Sequence, residues 1–169
     1  MIRKILKLGA LELEKVCQPV TAFDEALARL VEDMLETMYA SRGIGLAASQ
    51  IGVDQRLVVI DATGGQEEGR QIVMVNPEII AQEGVQREEE GCLSIPEFTA
   101  VVERPAKVTV QALDAKGCRF EMTGEGLLAR AFCHEIDHIN GILYLDHLSV
   151  FRRDLIKRKI KKLIKAGEW

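Results

Sequence analysis

Residues 124–141, GEGLLARAFCHEIDHING, set the tightest limit on what this chain can become. Leu127, Leu128, Ala131, Phe132 and Ile136 recur with a helical period. The segment is therefore expected to be a helix with one face buried in a core, opening at Thr123 or Gly124 and stopping at Gly141. On such a helix four residues advance about 6 Å and turn about 40° beyond a full revolution, so His134 and His138 leave one face at adjacent levels and can share an ion. Glu135 lies about 100° round the helix from His134. It is poorly placed as a ligand but well placed as a base toward water at the metal, the arrangement of H-E-x-x-H sites. The chain has only three histidines and two stand in this pattern, which favours a metal-binding core helix over a surface helix with solvated imidazoles.

The rest of the sequence supplies the surroundings. At 169 residues the chain is long enough for one well-buried core and short for two domains. Its 47% hydrophobic content and four prolines describe a soluble globular protein rather than a disordered one. Leu27, Leu30, Val31, Met34, Leu35 and Met38 mark a helix that starts at Thr21 or Asp24 and ends near Ser41. RLVVIDA and QIVMVNPEII read as strands around the turn-rich TGGQEEG. Val108, Val110 and Ala112, then Cys118, Phe120 and Met122, alternate around DAKG as a hairpin with Cys118 on the inward face. Strands grouped between helices imply an α+β fold: antiparallel β-sheets packed around a central metal-binding helix, with N-terminal and C-terminal helices.

In MIRKILKLGALELEKV, Lys7, Glu12 and Glu14 break every apolar run before it reaches signal-peptide length. A cytoplasmic protein with no membrane and no DNA partner is expected. Cys17, Cys92, Cys118 and Cys133 lack C-x-x-C spacing and are expected to be reduced thiols, buried or metal-bound.

Two histidines leave a third ligand to find. Downstream, Tyr144 occupies the last histidine position of the extended zinc-protease pattern and Glu168 is remote, so an HExxH-type metallopeptidase lacks its usual ligand. His147 is open geometrically, as ligand or as loop histidine. Among the cysteines, Cys133 points about 100° away from His134. Cys92 follows Gly91, where backbone can approach closely, and precedes a Ser and a Pro that argue against a central strand. A thiolate there would make a Cys-His-His site with an open fourth position, the catalytic type of coordination; packing alone is the equal alternative for a buried cysteine.

GIGLAA fits the G-x-G-x-x-A form of a dinucleotide fingerprint, but a long helix precedes Gly43 and a strand follows, the reverse of the order that fingerprint needs. A glycine loop followed by Gln50 instead suits pairing with an extended peptide and donating an amide N–H to a developing oxyanion.

Together GIGLAASQ (43–50), EGCLS (90–94) and HEIDH (134–138) resemble, in order and spacing, the three signature motifs of the bacterial peptide deformylase family, over nearly the whole chain. The resemblance implies Cys92, His134 and His138 as metal ligands and Glu135 as general acid/base. It implies Gln50 and the Leu93 N–H as oxyanion donors, and Ile44, Gly45 and Gly91 as backbone partners of the peptide. It also implies one divalent ion, Fe(II) by family habit with Zn, Ni or Co able to substitute, and N-formylmethionyl nascent peptides as substrates, with formate released. Glu90 is expected to pair with Arg104 and brace the ligand loop. Cys133 stands where Gln is commoner, and LGALELEKV replaces a proline-containing start.

Residues 1–148 are then expected to form a single catalytic metallohydrolase domain that residues 149–169 extend as a basic amphipathic helix. Residues 148–169 carry eight Lys or Arg against Asp154 and Glu168, so this tail is +6 and the rest of the chain −10. Phe151, Leu155, Ile156, Ile160, Leu163 and Ile164 fall on one broad side to pack on the body. The basic side offers a surface for ribosome association.

Overall fold

The computed structural model describes all 169 residues, Met1–Trp169. Helix α1 (Glu25–Ala40) starts where the Asp24 side chain accepts from Leu27 N–H, a cap worth about 1 kcal/mol. It is followed by β1 (Gly45–Ala47), a 3-10 turn at Ala48–Ile51, β2 (Leu57–Ile60) and β3 (Ile72–Glu83). The hairpin of β4 (Gln86–Cys92) and β5 (Ile95–Arg104) comes next, then β6 (Lys107–Leu113), β7 (Arg119–Glu125), helix α2 (Leu127–Ile139) and helix α3 (Val150–Lys165). Five strands form one antiparallel sheet in the order β1-β2-β3-β6-β7, and β4-β5 forms a second sheet of two strands.

The large sheet is covered on both faces, which explains why LVVI in β2 is apolar throughout. Val58, Ile60 and Met74 pack with Phe132, Ile136 and Ile139 of α2, while Leu57, Val59 and Val75 pack with Leu27, Val31 and Met34 of α1. Strand periodicity thus sends alternate residues to two helices. A third cluster joins Ile95, Ala100 and Val102 of β5 to Tyr144, Leu145 and Ile160, and so connects the small sheet to α3. Gly141 ends α2 at φ 75°, and a side chain there would strike Glu14 O at 2.6 Å. The N-terminal segment closes over this end of α2, with Cys17 N–H donating to Ile139 O at 2.8 Å.

The fold is the expected α+β arrangement, with local corrections. Helix α2 begins at Leu127 rather than Thr123 or Gly124, because Thr123, Gly124 and Glu125 pair with Thr109, Val108 and Lys107 of β6. Leu127 is consequently exposed. Cys118 is also exposed: it lies in the turn before β7, where Asp114 Oδ1 accepts from the Lys116 and Cys118 N–H groups. On α3 only Ile160 is buried; Phe151 is 78% exposed and Leu155 and Ile164 are open to solvent. No helix is long and apolar enough to cross a membrane.

Candidate active site

Helix α2 carries His134 and His138 on the face turned toward the end of β4, where Cys92 sits. Cys92 Sγ lies 3.3 Å from His138 Nε2, which lies 3.2 Å from His134 Nε2, and the three donor atoms fall within 4.8 Å of one another. His134 Nδ1 is 2.7 Å from Glu90 Oε1. With Nδ1–H donating to that carboxylate, the Nε2 lone pair points at the other two donors. Burial holds His138 well below its ordinary pKa, in the neutral form that ligates. One sulfur and two imidazole nitrogens converging in this way fit a divalent ion with an open position. Cys133, one residue before the motif, is not part of this group, and burial pushes its thiol up to about 11. His147 is not part of it either: its Nε2 lies 2.8 Å from Asp137 Oδ2 and 3.2 Å from Arg104 Nη1.

Glu135 leaves α2 toward β1. Its Oε2 is buried without a partner, and burial pushes the carboxyl up to about 7, which suits a group that must take and return a proton near neutral pH. Room for it comes from Gly45, where an added Cβ would stand 2.5 Å from Glu135 Oε1.

Gln50, in the 3-10 turn after β1, is fixed through Oε1 by Ala47 N–H at 2.9 Å. Its Nε2 donates to Ser94 Oγ at 3.1 Å and makes only a long 3.8 Å contact to Cys92 Sγ, leaving one N–H for another acceptor. The Leu93 N–H makes no hydrogen bond within the protein and lies between Cys92 and Ser94. β1 is an edge strand of the large sheet. Ile44 O already accepts from Asp61 N–H at 2.8 Å, so by antiparallel alternation Gly45 turns its N–H and C=O outward, to the open edge. Gly91 faces Thr99 in the small sheet, where a Cβ would sit 3.4 Å from the Thr99 methyl.

Glu90 is more heavily engaged than the sequence suggested. Besides His134 it accepts from Arg104 Nε at 3.0 Å and Nη2 at 2.8 Å, and from Arg130 Nη1. Although burial opposes ionisation, these contacts hold the carboxyl down at about 2. Arg104 Nη1 also donates to Asp137 Oδ2 at 2.6 Å. Arg130, Asp137 and Ser94 were not singled out from sequence. Arg130 had a readable signal, since it precedes His134 by four residues and so shares its helix face.

The profile of the polypeptide deformylase family matches residues 2–154. A peptide deformylase of Acidobacterium capsulatum is 52% identical over 169 residues, covering all of this chain and 99% of its own length. The chain belongs to the polypeptide deformylase family. The crystal structure of a peptide deformylase from Legionella pneumophila superposes with a TM-score of 0.91 at 52% identity, covering 99% of this chain and 98% of that one. That of the peptide deformylase from Thermus thermophilus gives 0.88 at 37%, covering 97% and 96%. Deformylases are metal-dependent, and the Cys92, His134 and His138 donors are the group in this chain that could hold the ion. Beside it this deformylase has a cavity of about 500 Å³ reaching from Gln50 and Glu135 past Ile44, Leu127 and Ala131 to Phe98. Its wall is apolar at one end and gathers convergent polar groups at the other.

Proposed function

We infer that this deformylase hydrolyses the N-formyl group of N-formylmethionyl polypeptides, releasing formate, and we propose the following roles for its residues. Cys92, His134 and His138 hold one divalent ion, Fe(II), with Zn, Ni or Co as substitutes. When bound, the ion supplies Lewis acidity, which brings the pKa of water toward about 7 in zinc hydrolases. Glu135 takes the proton from water as it adds to the formyl carbon. The charge that develops on the formyl oxygen is met by the Gln50 side-chain N–H and the Leu93 N–H; one such donor is worth about 2.7–4 kcal/mol. Glu135 then delivers its proton to the departing amine. Gly45 and Gly91, with Ile44, pair with the peptide backbone, and the methionine side chain fills the apolar end of the cavity, where each methylene is worth about 1–3 kcal/mol of discrimination.

The observation that carries this reading is the buried, unpartnered carboxylate oxygen of Glu135 beside three converging soft donors. The metallopeptidase alternative gains nothing: Tyr144 is buried and donates to Phe98 O, and His147 is held by Asp137. The test is formate release from formyl-Met-Ala-Ser by protein purified without oxygen, reloaded with Fe(II) and compared with chelated protein. Cleavage of internal amides without formate release would overturn the reading.

We also propose that residues 149–169 extend the domain of residues 1–148, a reading supported by buried Ile160 and by Trp169 Nε1 donating to Leu8 O at 2.9 Å. The enzyme then works in the cytoplasm, and the basic side of α3 associates with the ribosome through phosphates. Because Ile160 is core, charge reversal of Arg152, Lys157, Arg158 and Lys161 tests this better than truncation. Salt-sensitive co-sedimentation with ribosomes is expected for the parent and not for the variant.

A further inference from the structure

Three non-glycine residues hold a positive φ: Arg42 at 57°, Asn76 at 51° and Glu97 at 70°. Asn76 has a local reason, because asparagine tolerates this region and its side chain bonds both the N–H and the carbonyl of Val20. Arg42 and Glu97 stand at the stop of α1 and at the register shift of the β4–β5 hairpin, positions that fix the backbone and leave the side chains uncommitted. Arg29, Arg70 and Arg87 each pair with a nearby glutamate, whereas Arg42 and Glu97 make no ion pair or side-chain hydrogen bond. Both are exposed and both line the substrate cavity, from two different segments of its rim.

Their backbones are held. Arg42 sits just past the C-terminus of α1, where glycine is the usual residue; its N–H donates to Tyr39 O at 3.0 Å and the Gly43 N–H to Met38 O at 2.9 Å. A Cβ on Gly43 would meet Leu93 Cδ1 at 2.7 Å, so this segment is pressed against the Cys92–Ser94 turn. Glu97 precedes Phe98, whose carbonyl accepts from Tyr144 OH at 3.1 Å and whose ring stands edge-on to Trp169 at 6.2 Å. Glu89, also exposed, lines the cavity from the partner strand of the hairpin that carries Glu97.

We propose that Arg42 on one part of the rim, and Glu97 with Glu89 on the other, select substrates by the charges of the two residues that follow formylmethionine. This rests on reading the cavity as the formylmethionyl-peptide site. Successive side chains of an extended peptide point to opposite sides, so one residue meets Arg42 and favours an acidic side chain while the other meets the two glutamates and favours a basic one.

The experiment measures kcat/KM for formyl-Met tripeptides carrying Asp, Ala or Lys at either following position, with the parent enzyme, R42E and E97K. Within each enzyme the readout is the Asp-to-Lys ratio, which a change in active fraction cannot move. At one position the parent should prefer Asp by about two- to fivefold, the scale of exposed ion pairs, with inversion in R42E but not in E97K. At the other it should prefer Lys, with inversion in E97K alone, and both preferences should shrink at about 0.5 M salt. Ratios near one at both positions, or variants that shift both positions alike, overturn the proposal. No formate from formyl-Met-Ala-Ala with the parent enzyme overturns the deformylase reading and this proposal with it.

Discussion

Gly45 and Glu135 are in contact so close that residue 45 has no room for a methyl group: a Cβ there would lie 2.5 Å from Oε1, 2.8 Å from Cδ and 2.9 Å from Cγ of Glu135. The first glycine after Ile44 is thus a spacing residue for the carboxylate. Gly45→Ala should leave the metal donors alone and displace Glu135. Since a misplacement of about 1 Å can cost about 10²-fold in rate, formate release should fall by that order with metal content unchanged. Loss of metal in parallel would show that the strain reaches His134.

Glu135→Gln keeps the shape and removes the carboxylate proposed as the base. Deformylation should fall by about 10²–10⁴-fold, the usual contribution of general acid–base catalysis, with the ion retained. Cys92→Ala should instead lose the ion, and Cys133→Ala should keep it. Metal analysis beside formate assays separates the three, and equal metal loss in both cysteine variants would sink the ligand assignment.

Glu90→Gln weakens a carboxylate that serves His134, Arg104 and Arg130 together. Loss of an outer hydrogen-bond partner typically lowers metal affinity about 10–100-fold, measurable by competition with a chelator. Buried Arg130 also loses its one carboxylate partner and Arg104 keeps only Asp137, a change on the order of 3–5 kcal/mol, so the melting temperature should drop sharply. An unchanged melting temperature would mean that the glutamine amide still serves both guanidinium groups.

Trp169→Ala removes the hydrogen bond to Leu8 O and the edge contact with Phe98. Together these are worth roughly 1.5 kcal/mol, or about 3–6 °C in a chain of this size. Phe98 lines the cavity, so KM for formyl peptides should rise while kcat holds. Equal falls in kcat would place the effect at the metal instead.

Asp61 supplies a pH dependence away from the metal. Burial works against its charge, but the Thr63 hydroxyl, Tyr39 OH at 2.6 Å and the backbone N–H groups of Thr63 and Gly65 outweigh it and lower the carboxyl pKa. A depressed folded-state pKa contributes stability that is fully present above the unfolded value near about 3.9 and is lost as pH falls through the folded value. Asp61→Asn should therefore flatten the acid limb of melting temperature against pH. A variant whose acid limb matches the parent's would exclude Asp61 as a contributor.

The elements legible in the sequence were those whose apolar residues repeat. α1, α2 and α3 show the helical period, and β2, β3 and β6 carry apolar runs or alternation. β4 was missed because its single inward side chain is Glu90, set in the charge run REEE. β1 was missed because it is three residues long and its pairing is fixed by β2, not by its own composition. The start of α2 was placed too early because nothing local distinguishes Thr123–Glu125 as strand; their pairing with β6 decides it. At the site, the two histidines were visible from spacing alone, whereas Cys92 was ambiguous until read with the other two motifs. The Arg104–Asp137–His147 contacts join residues up to 43 positions apart and leave no local pattern.

One topological fact bears on how such a chain ages. Cys92 terminates the two-stranded sheet, while His134 and His138 ride on the helix packed against the five-stranded one. An ion shared among them would be a further tie between two plates already joined by the contacts of Glu90 with His134 and Arg130 and of Arg104 with Asp137. A copy that loses its ion, or whose thiolate is oxidised, should therefore open more often between the plates as well as fall silent, and opened chain is what proteases cut. Damage to the chemistry and exposure to degradation then arrive together, so the inactive molecules are the ones cleared first.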